Sequence, residues 1–114
     1  MLFIKYWLPV IICGIIISSV SSIPGSNIPG LFSGQDIIFH GLEFALFGFL
    51  LSRAIKKYYP KLIRNKRIVL VFFLVFIYGL LDEFHQIFVP NRHMDMSDVI
   101  IDSIGGLIGG LLYR

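Results

Sequence analysis

Residues 68–89 read IVLVFFLVFIYGLLDEFHQIFV, and Pro90 follows at once. As a helix this run rises about 33 Å, at about 1.5 Å per residue, which is enough to cross a hydrocarbon core of roughly 30 Å. We therefore predict a membrane-spanning helix that the proline ends. Its last turns carry Asp82, Glu83 and His85, and ionisable side chains inside a membrane helix are costly and usually functional.

Three more apolar stretches accompany this one, at residues 7–20, 37–55 and 96–113. Two Pro-Gly pairs mark a loop between the first and the second, and a short turn at 91–95 precedes the last. The chain is 56% hydrophobic and 15% charged, whereas soluble proteins carry about a quarter charged residues. We predict one domain over residues 1–114, all-α, built as an integral membrane four-helix bundle.

The first stretch admits a second interpretation. Lys5, a short apolar core and the small residues at 18–22 also suit a cleaved signal peptide. A retained anchor helix is simpler, because the other three stretches would otherwise lack a partner. Cys13 is the one cysteine of the chain, which excludes an intramolecular disulfide and a cysteine metal site.

The cations indicate the orientation in the membrane. Seven of the ten lie between the second and third stretches: Arg53, Lys56, Lys57, Lys61, Arg64, Lys66 and Arg67. By the positive-inside rule this basic loop, 53–67, is cytoplasmic, and four crossings make both termini cytoplasmic. The loop is expected to contact anionic lipids. Nucleic acid is excluded as a partner, because the apolar stretches leave no soluble domain that could present the cations.

All seven carboxylates lie at the ends of the stretches away from the basic loop: Asp36, Glu43, Asp82, Glu83, Asp95, Asp98 and Asp102. At about 100° per residue, the acids of each helix share a face with nearby polar residues. We predict one polar layer, pointing into the bundle near the extracytoplasmic surface. A simpler interpretation stays open for Asp36, Asp95 and Asp98, because anions also suit helix starts.

Small residues predict how the helices pack. Gly41, Ala45 and Gly48 form a stripe on the second helix, on a different face from its acids. On the fourth helix, the glycine pairs at 105–106 and 109–110 continue the acidic face inward. Such spacing lets neighbouring backbones come close, so the acidic face of the fourth helix should also be a packing face.

The spacing of the histidines allows a metal site without requiring one. His40 and Glu43, like Asp82 and His85, are three residues apart and so share a helix face. Histidine with carboxylates suits zinc, manganese or iron, but a hydrogen-bonded network needs the same spacing. The sequence does not determine the cofactor. A divalent metal is one option, and no residue is assigned as its ligand.

Three runs resemble the VanZ-like family: DIIFH at 36–40, LDEFHQIFVPNR at 81–92 and DVIIDSIGG at 98–106. That family comprises small bacterial multi-helix membrane proteins and is named for one giving low-level teicoplanin resistance. The resemblance implies a shared polar motif of Asp36, His40, Asp82, Glu83, His85, Gln86, Arg92 and Asp98. Two positions depart from it: the family often has Lys where this chain has Ile37, and Asn where it has Asp102.

The resemblance and the polar layer together predict a small cell-envelope protein of the bacterial plasma membrane. Its pocket would bind, or act on, a lipid-linked envelope component or a lipophilic glycopeptide antibiotic. The catalytic candidates are His40, Asp82, His85 and Asp98, with a histidine as general acid or base. The ligand-binding candidates are Asp36, Glu43, Glu83, Gln86, Arg92 and Asp102, with Arg92 holding an anionic group such as phosphate.

Whether the protein is an enzyme stays open, because neither Ser97 nor Ser103 is marked as a nucleophile. Two alternatives remain. A small transporter fits four helices, although small dual-topology exporters need a weak charge bias and this chain has a strong one. A non-catalytic membrane binding or assembly factor fits the same polar pocket.

Overall fold

The computed structural model describes residues 2–24 and 30–114, apart from the side chain of Asp36. Its four helices are α1 (Leu2–Ser21), α2 (Gln35–Tyr58), α3 (Arg64–Gln86) and α4 (Met96–Leu112). Three segments, Leu2–Ser21, Ile37–Tyr58 and Arg64–Gln86, are long and apolar enough to cross a membrane, so this is a multi-pass membrane protein in contact with lipid. The predicted all-α, four-helix architecture is confirmed.

The observed helix bounds differ from the predicted ones at several ends. α1 begins at Leu2 rather than residue 7 and contains Pro9. α2 and α3 also begin earlier than predicted, and α4 stops at Leu112. α3 ends at Gln86, before the predicted 89, because Pro90 has no N–H to donate to the Gln86 carbonyl and its ring would clash with that carbonyl in a continued helix. Tighter i→i+3 hydrogen bonds follow, such as Val89 N–H to the Gln86 carbonyl at 3.1 Å.

α4 lies backbone to backbone on α2, as the small-residue stripes predict. A Cβ on Gly48 would collide with the carbonyl of Gly106, and one on Gly109 would collide with the carbonyl of Ala45. At Gly105 it would lie 2.6 Å from the Gly41 carbonyl oxygen. Lipid provides no hydrophobic drive between helices, so close packing of this kind holds α4 in place.

The core between α1, α2 and α3 is apolar and aromatic. Val10, Cys13 and Ile17 of α1 are buried in the same cluster as Phe44 and Phe47 of α2. Tyr78 of α3 packs against this cluster and donates to the Gly14 carbonyl at 2.5 Å, while its hydroxyl lies 2.6 Å from Ser18 Oγ. α1 is therefore joined to α3 by a polar contact as well as by packing.

The basic residues gather at the C-terminal end of α4. Arg67 is buried and donates to Ser52 Oγ at 2.9 Å and to the Tyr113 carbonyl at 3.3 Å. Arg64 donates to the Leu111 carbonyl at 2.8 Å, and Lys56 bonds the carbonyl of Arg114. Cations suit a helix C-terminus, where carbonyls lack intrahelical partners. The acidic residues of α3 and α4 lie at the opposite end of the bundle.

Candidate functional site

Two overlapping groups of ionisable side chains meet where the end of α3 approaches the starts of α2 and α4. Within each group, three potential ligand atoms lie within 4.8 Å of one another. The groups are His40, Glu83 and Asp98, and Asp82, Glu83 and Asp102. We call these five residues the acidic cluster. It draws on three helices, and Glu83 belongs to both groups.

Glu83 and Asp102 are fully buried in this cluster, each at 0% exposure. Glu83 Oε2 accepts a hydrogen bond from the Asp95 backbone N–H at 3.0 Å, and Asp102 Oδ1 lies 2.8 Å from His40 Nδ1. Within the described part of the chain, the other oxygens, Glu83 Oε1 and Asp102 Oδ2, have no hydrogen-bond partner. A buried polar atom left without a partner costs about 1–3 kcal/mol, and more when it is charged.

The His40–Asp102 contact joins α2 to α4. His40 is 16% exposed. A carboxylate bonded to one ring nitrogen fixes the ring's orientation and leaves the other nitrogen for proton transfer or metal binding. The pair therefore has the arrangement that general acid-base catalysis and metal ligation both use.

Gly79 makes room for Asp102 and was not recognised as part of the site from the sequence. A Cβ built on Gly79 would lie 3.2 Å from both the Cβ and the Oδ2 of Asp102. The glycine lets the α4 carboxylate rest against the α3 backbone. A lone glycine in an otherwise bulky apolar helix was the available signal, but its partner could not be identified from one helix alone.

Arg92 and Gln86 hold the C-terminal end of α1. Arg92 donates to the carbonyls of Ile23 at 3.0 Å and Val20 at 3.3 Å, and to Gln86 Oε1 at 3.4 Å. The Gln86 amide donates to Ser21 Oγ at 2.5 Å. These contacts satisfy carbonyls that a helix end leaves open. They give Arg92 a structural role that the sequence did not predict.

Asp95 caps the start of α4. Its carboxylate accepts from the Ser97 hydroxyl at 2.7 Å and from the Ser97 N–H at 2.9 Å. These two bonds stabilise the ionised form and hold the pKa of Asp95 below its usual range. Asp95 is therefore an acid that caps a helix start, as the simpler interpretation of the sequence predicts.

Four residues of the predicted polar motif lie in the acidic cluster: His40, Asp82, Glu83 and Asp98. The profile of a family described as VanZ/LLP1 matches residues 5–114. The chain belongs to the VanZ/LLP1 family. In the same comparisons, no curated protein and no solved structure matched it.

Five of the ten site candidates of this VanZ/LLP1 protein form the acidic cluster: His40, Asp82, Glu83, Asp98 and Asp102. Gln86 and Arg92 lie at the end of α1. His85 is half-buried and belongs to neither group of close ligand atoms. The Asp36 side chain lies outside the described residues.

Glu43, the remaining candidate, is half-buried in a cleft of about 350 Å³ between α1 and α2. The other lining residues are almost all apolar, among them Pro9, Cys13 and Leu50. A second cleft, of about 390 Å³, is lined by Ser18, Ser19, Ser22 and Tyr78, with the apolar residues of α1 beside them. Exposed apolar residues of α1 line both clefts, such as Ile12 in the first and Ile15 in the second.

The three-residue spacings of the VanZ/LLP1 chain do not define the observed groups. Neither group contains Glu43 or His85, the second residues of the two spacings. The groups instead combine side chains from different helices, because the interior of the bundle is filled from all of its helices. Spacing within one helix contains no information on those partners.

Proposed function

We propose that this VanZ/LLP1 protein is a bacterial cell-envelope membrane protein whose acidic cluster binds the polar head of a lipid-linked envelope component or of a lipophilic glycopeptide. One observation carries the proposal. Glu83 Oε1 and Asp102 Oδ2 are buried without a hydrogen-bond partner in the described residues, within a cluster built from three helices. Polar groups this deep in a membrane protein are expensive, and they mark ligand or ion sites.

The charge distribution supports a cluster that lies near the extracytoplasmic leaflet. The basic residues gather at the other end of the bundle, around the C-terminal carbonyls of α4. The positive-inside rule assigns that end to the cytoplasm. With α4 as a fourth crossing, both termini are then cytoplasmic, and the cluster lies on the side of the outer leaflet of the plasma membrane.

The clefts beside α1 support a ligand that has an apolar part. The cleft between α1 and α2 is apolar except for Glu43, which lies one helical turn from His40 of the cluster. An acyl or prenyl chain suits such a cleft, and Glu43 marks the side on which the ligand's head would approach the cluster. A lipid-linked molecule has an apolar chain for the cleft and a polar head for the acidic cluster. It thus matches these two sites better than a water-soluble molecule does.

The test is the lipid content of the purified protein. Wild type, Glu83→Gln and Asp82→Asn are purified from the same bacterial membranes, and the retained lipids are measured by mass spectrometry. His93→Gln is the control, because His93 is exposed and lies outside the cluster, in the segment between α3 and α4.

We expect wild type and His93→Gln to retain a lipid-linked species that the Glu83 and Asp82 variants lose by about tenfold or more. The estimate follows from about 1.5–3 kcal/mol for a hydrogen bond to a charged group, at about 1.4 kcal/mol per factor of ten. If the lipids of all four proteins match the bulk membrane, the proposal is wrong. Teicoplanin susceptibility of cells expressing the same four proteins tests the glycopeptide option.

Proton-coupled transport is the second candidate, and the buried His40–Asp102 pair favours it. Paired ionisable groups inside a helix bundle are typical of proton relays in transporters. Proteoliposomes with an internal pH dye distinguish the two functions. A proton flux that His40→Gln abolishes would support transport, whereas wild-type vesicles no leakier than empty ones would leave binding as the function.

A further inference from the structure

We propose that the acidic cluster binds one divalent metal cation, with Glu83 as the central ligand. Glu83 is the one residue that belongs to both groups of ligand atoms. Asp82 and Asp102 complete one group, and His40 and Asp98 the other. A metal ion at Glu83 is therefore within reach of side chains from α2, α3 and α4.

The two unpartnered oxygens point to this occupant. Glu83 is held through Oε2 by the Asp95 N–H, which leaves Oε1 without a partner in the described structure. Asp102 is held through Oδ1 by His40, which likewise leaves Oδ2. Each carboxylate is thus oriented by one oxygen while its other oxygen is available. Metal sites show this division, with an outer hydrogen bond that fixes the ligating group.

The charges of the cluster also favour a cation. Four carboxyl groups face a single imidazole. Those of Asp82, Glu83 and Asp102 are buried, and that of Asp98 is half-buried and has further contacts. Arg92, the nearest arginine along the chain, is bonded to the end of α1. Carboxylates this close destabilise one another unless a proton or a cation lies between them. A divalent cation would offset two of these charges at once.

The donor set selects the class of metal. Carboxylate oxygens alone suit Mg²⁺ and Ca²⁺, whereas imidazole together with carboxylates suits Mn²⁺, Fe²⁺ or Zn²⁺. Cys13 belongs to neither group, so no thiolate ligand is available. We assign the site to a first-row divalent ion, with Mn²⁺ as the probe because it accepts both oxygen and imidazole ligands.

This inference deepens the proposed function and rests on that function only for the role of the metal. An acidic pocket repels the phosphate of a lipid-linked headgroup. A metal ion held by the carboxylates would attract that phosphate, as metal ions do in phosphate-binding sites that keep open ligand positions. The cluster would then be a metal-dependent headgroup site.

The experiment is a titration of Mn²⁺ into the metal-free protein in detergent, with no lipid-linked ligand added. Electron paramagnetic resonance measures the free ion, and size-exclusion chromatography establishes that each variant is folded. Glu83→Gln and Asp82→Asn remove ligands, and His93→Gln is again the control. Thermal unfolding of wild type with Mn²⁺ and with chelator provides a measurement that needs no variant.

We expect wild type and His93→Gln to bind about one Mn²⁺ per chain and to unfold at higher temperature with the ion. Loss of an outer-shell partner typically weakens metal binding by about 10–100-fold, so loss of Glu83 should weaken it at least that much. The inference is overturned if wild type binds no Mn²⁺ at millimolar concentration, or if Glu83→Gln and Asp82→Asn bind it as wild type does. Proton sharing would then be the means by which the carboxylates are accommodated.

The two proposals fail separately. Mn²⁺ binding without enrichment of any lipid-linked species would contradict the proposed function and leave the metal site intact. Enrichment of the lipid in protein that binds no Mn²⁺ would contradict only the metal site.

Discussion

At the scale of single residues, the site depends on one missing methyl group. Gly79 leaves room for the Asp102 carboxylate, whose Oδ2 would lie 3.2 Å from a Cβ at that position. Gly79→Ala should therefore displace Asp102 and weaken Mn²⁺ binding, at a cost in stability of about 1–3 kcal/mol, as for other overpacked sites. Isothermal titration and thermal unfolding measure the two effects.

Gly41→Ala is the matched control for that substitution, because a Cβ on Gly41 would meet nothing within 4 Å. Alanine also favours the helix over glycine by up to about 1 kcal/mol, so this variant should be as stable as wild type or more so. Equal Mn²⁺ affinity for wild type and Gly79→Ala would show that Asp102 does not need the space.

Asp95 provides a pH-dependent test of the α4 cap. The Ser97 hydroxyl and N–H lower the pKa of Asp95 in the folded protein, so the unfolded chain takes up its proton first as the pH falls. The cap should contribute fully above the ordinary pKa of aspartate, about 3.9, and be lost as the pH falls through the lower folded value. The difference in melting temperature between wild type and Asp95→Ala should shrink in that range. A difference that stayed constant with pH would mean that the carboxylate is not the cap.

At the scale of helices, much could be predicted from the sequence. The apolar runs predicted the four helices, and the glycine pairs predicted the face on which α4 packs against α2. The ends were less predictable: α3 stops at Gln86 because the turn before Pro90 uses i→i+3 bonds. Partners across helices were not predictable at all, since periodicity describes one helix at a time. The sequence therefore could not show that His40 lies in the cluster and that His85 does not.

The end of α1 offers a prediction at the same scale. Arg92 donates to two carbonyls there and to Gln86, so Arg92→Gln should loosen the last turn of α1. Hydrogen exchange should rise at residues 18–23, while Mn²⁺ affinity stays unchanged. Lys66→Gln, at an exposed position in α3, is the control and should alter neither. Unchanged exchange together with lost ligand binding would instead favour the anion-holding role predicted from the sequence.

At the scale of the whole molecule, the bundle separates its charges along a long axis of 46 Å. Topology can be tested with single cysteines in a Cys13→Ser background. His93→Cys, at the end with the acidic cluster, should react with a membrane-impermeant maleimide in intact cells. Lys61→Cys, in the basic loop, should react only after the membrane is opened. Labelling of both from the same side would contradict the orientation and with it the outward-facing site.

We propose that the carboxylates of α3 and α4 and the imidazole of α2 form one binding site inside the bundle. The decisive measurement is a crystal structure determined in lipid with Mn²⁺, using anomalous scattering to locate the ion. We predict an anomalous peak within bonding distance of the Glu83 carboxylate, about 2–2.5 Å, with Asp82 or Asp98 as a further ligand. A structure in which Glu83 and Asp102 point toward acyl chains, or in which the ion lies elsewhere, would contradict the account.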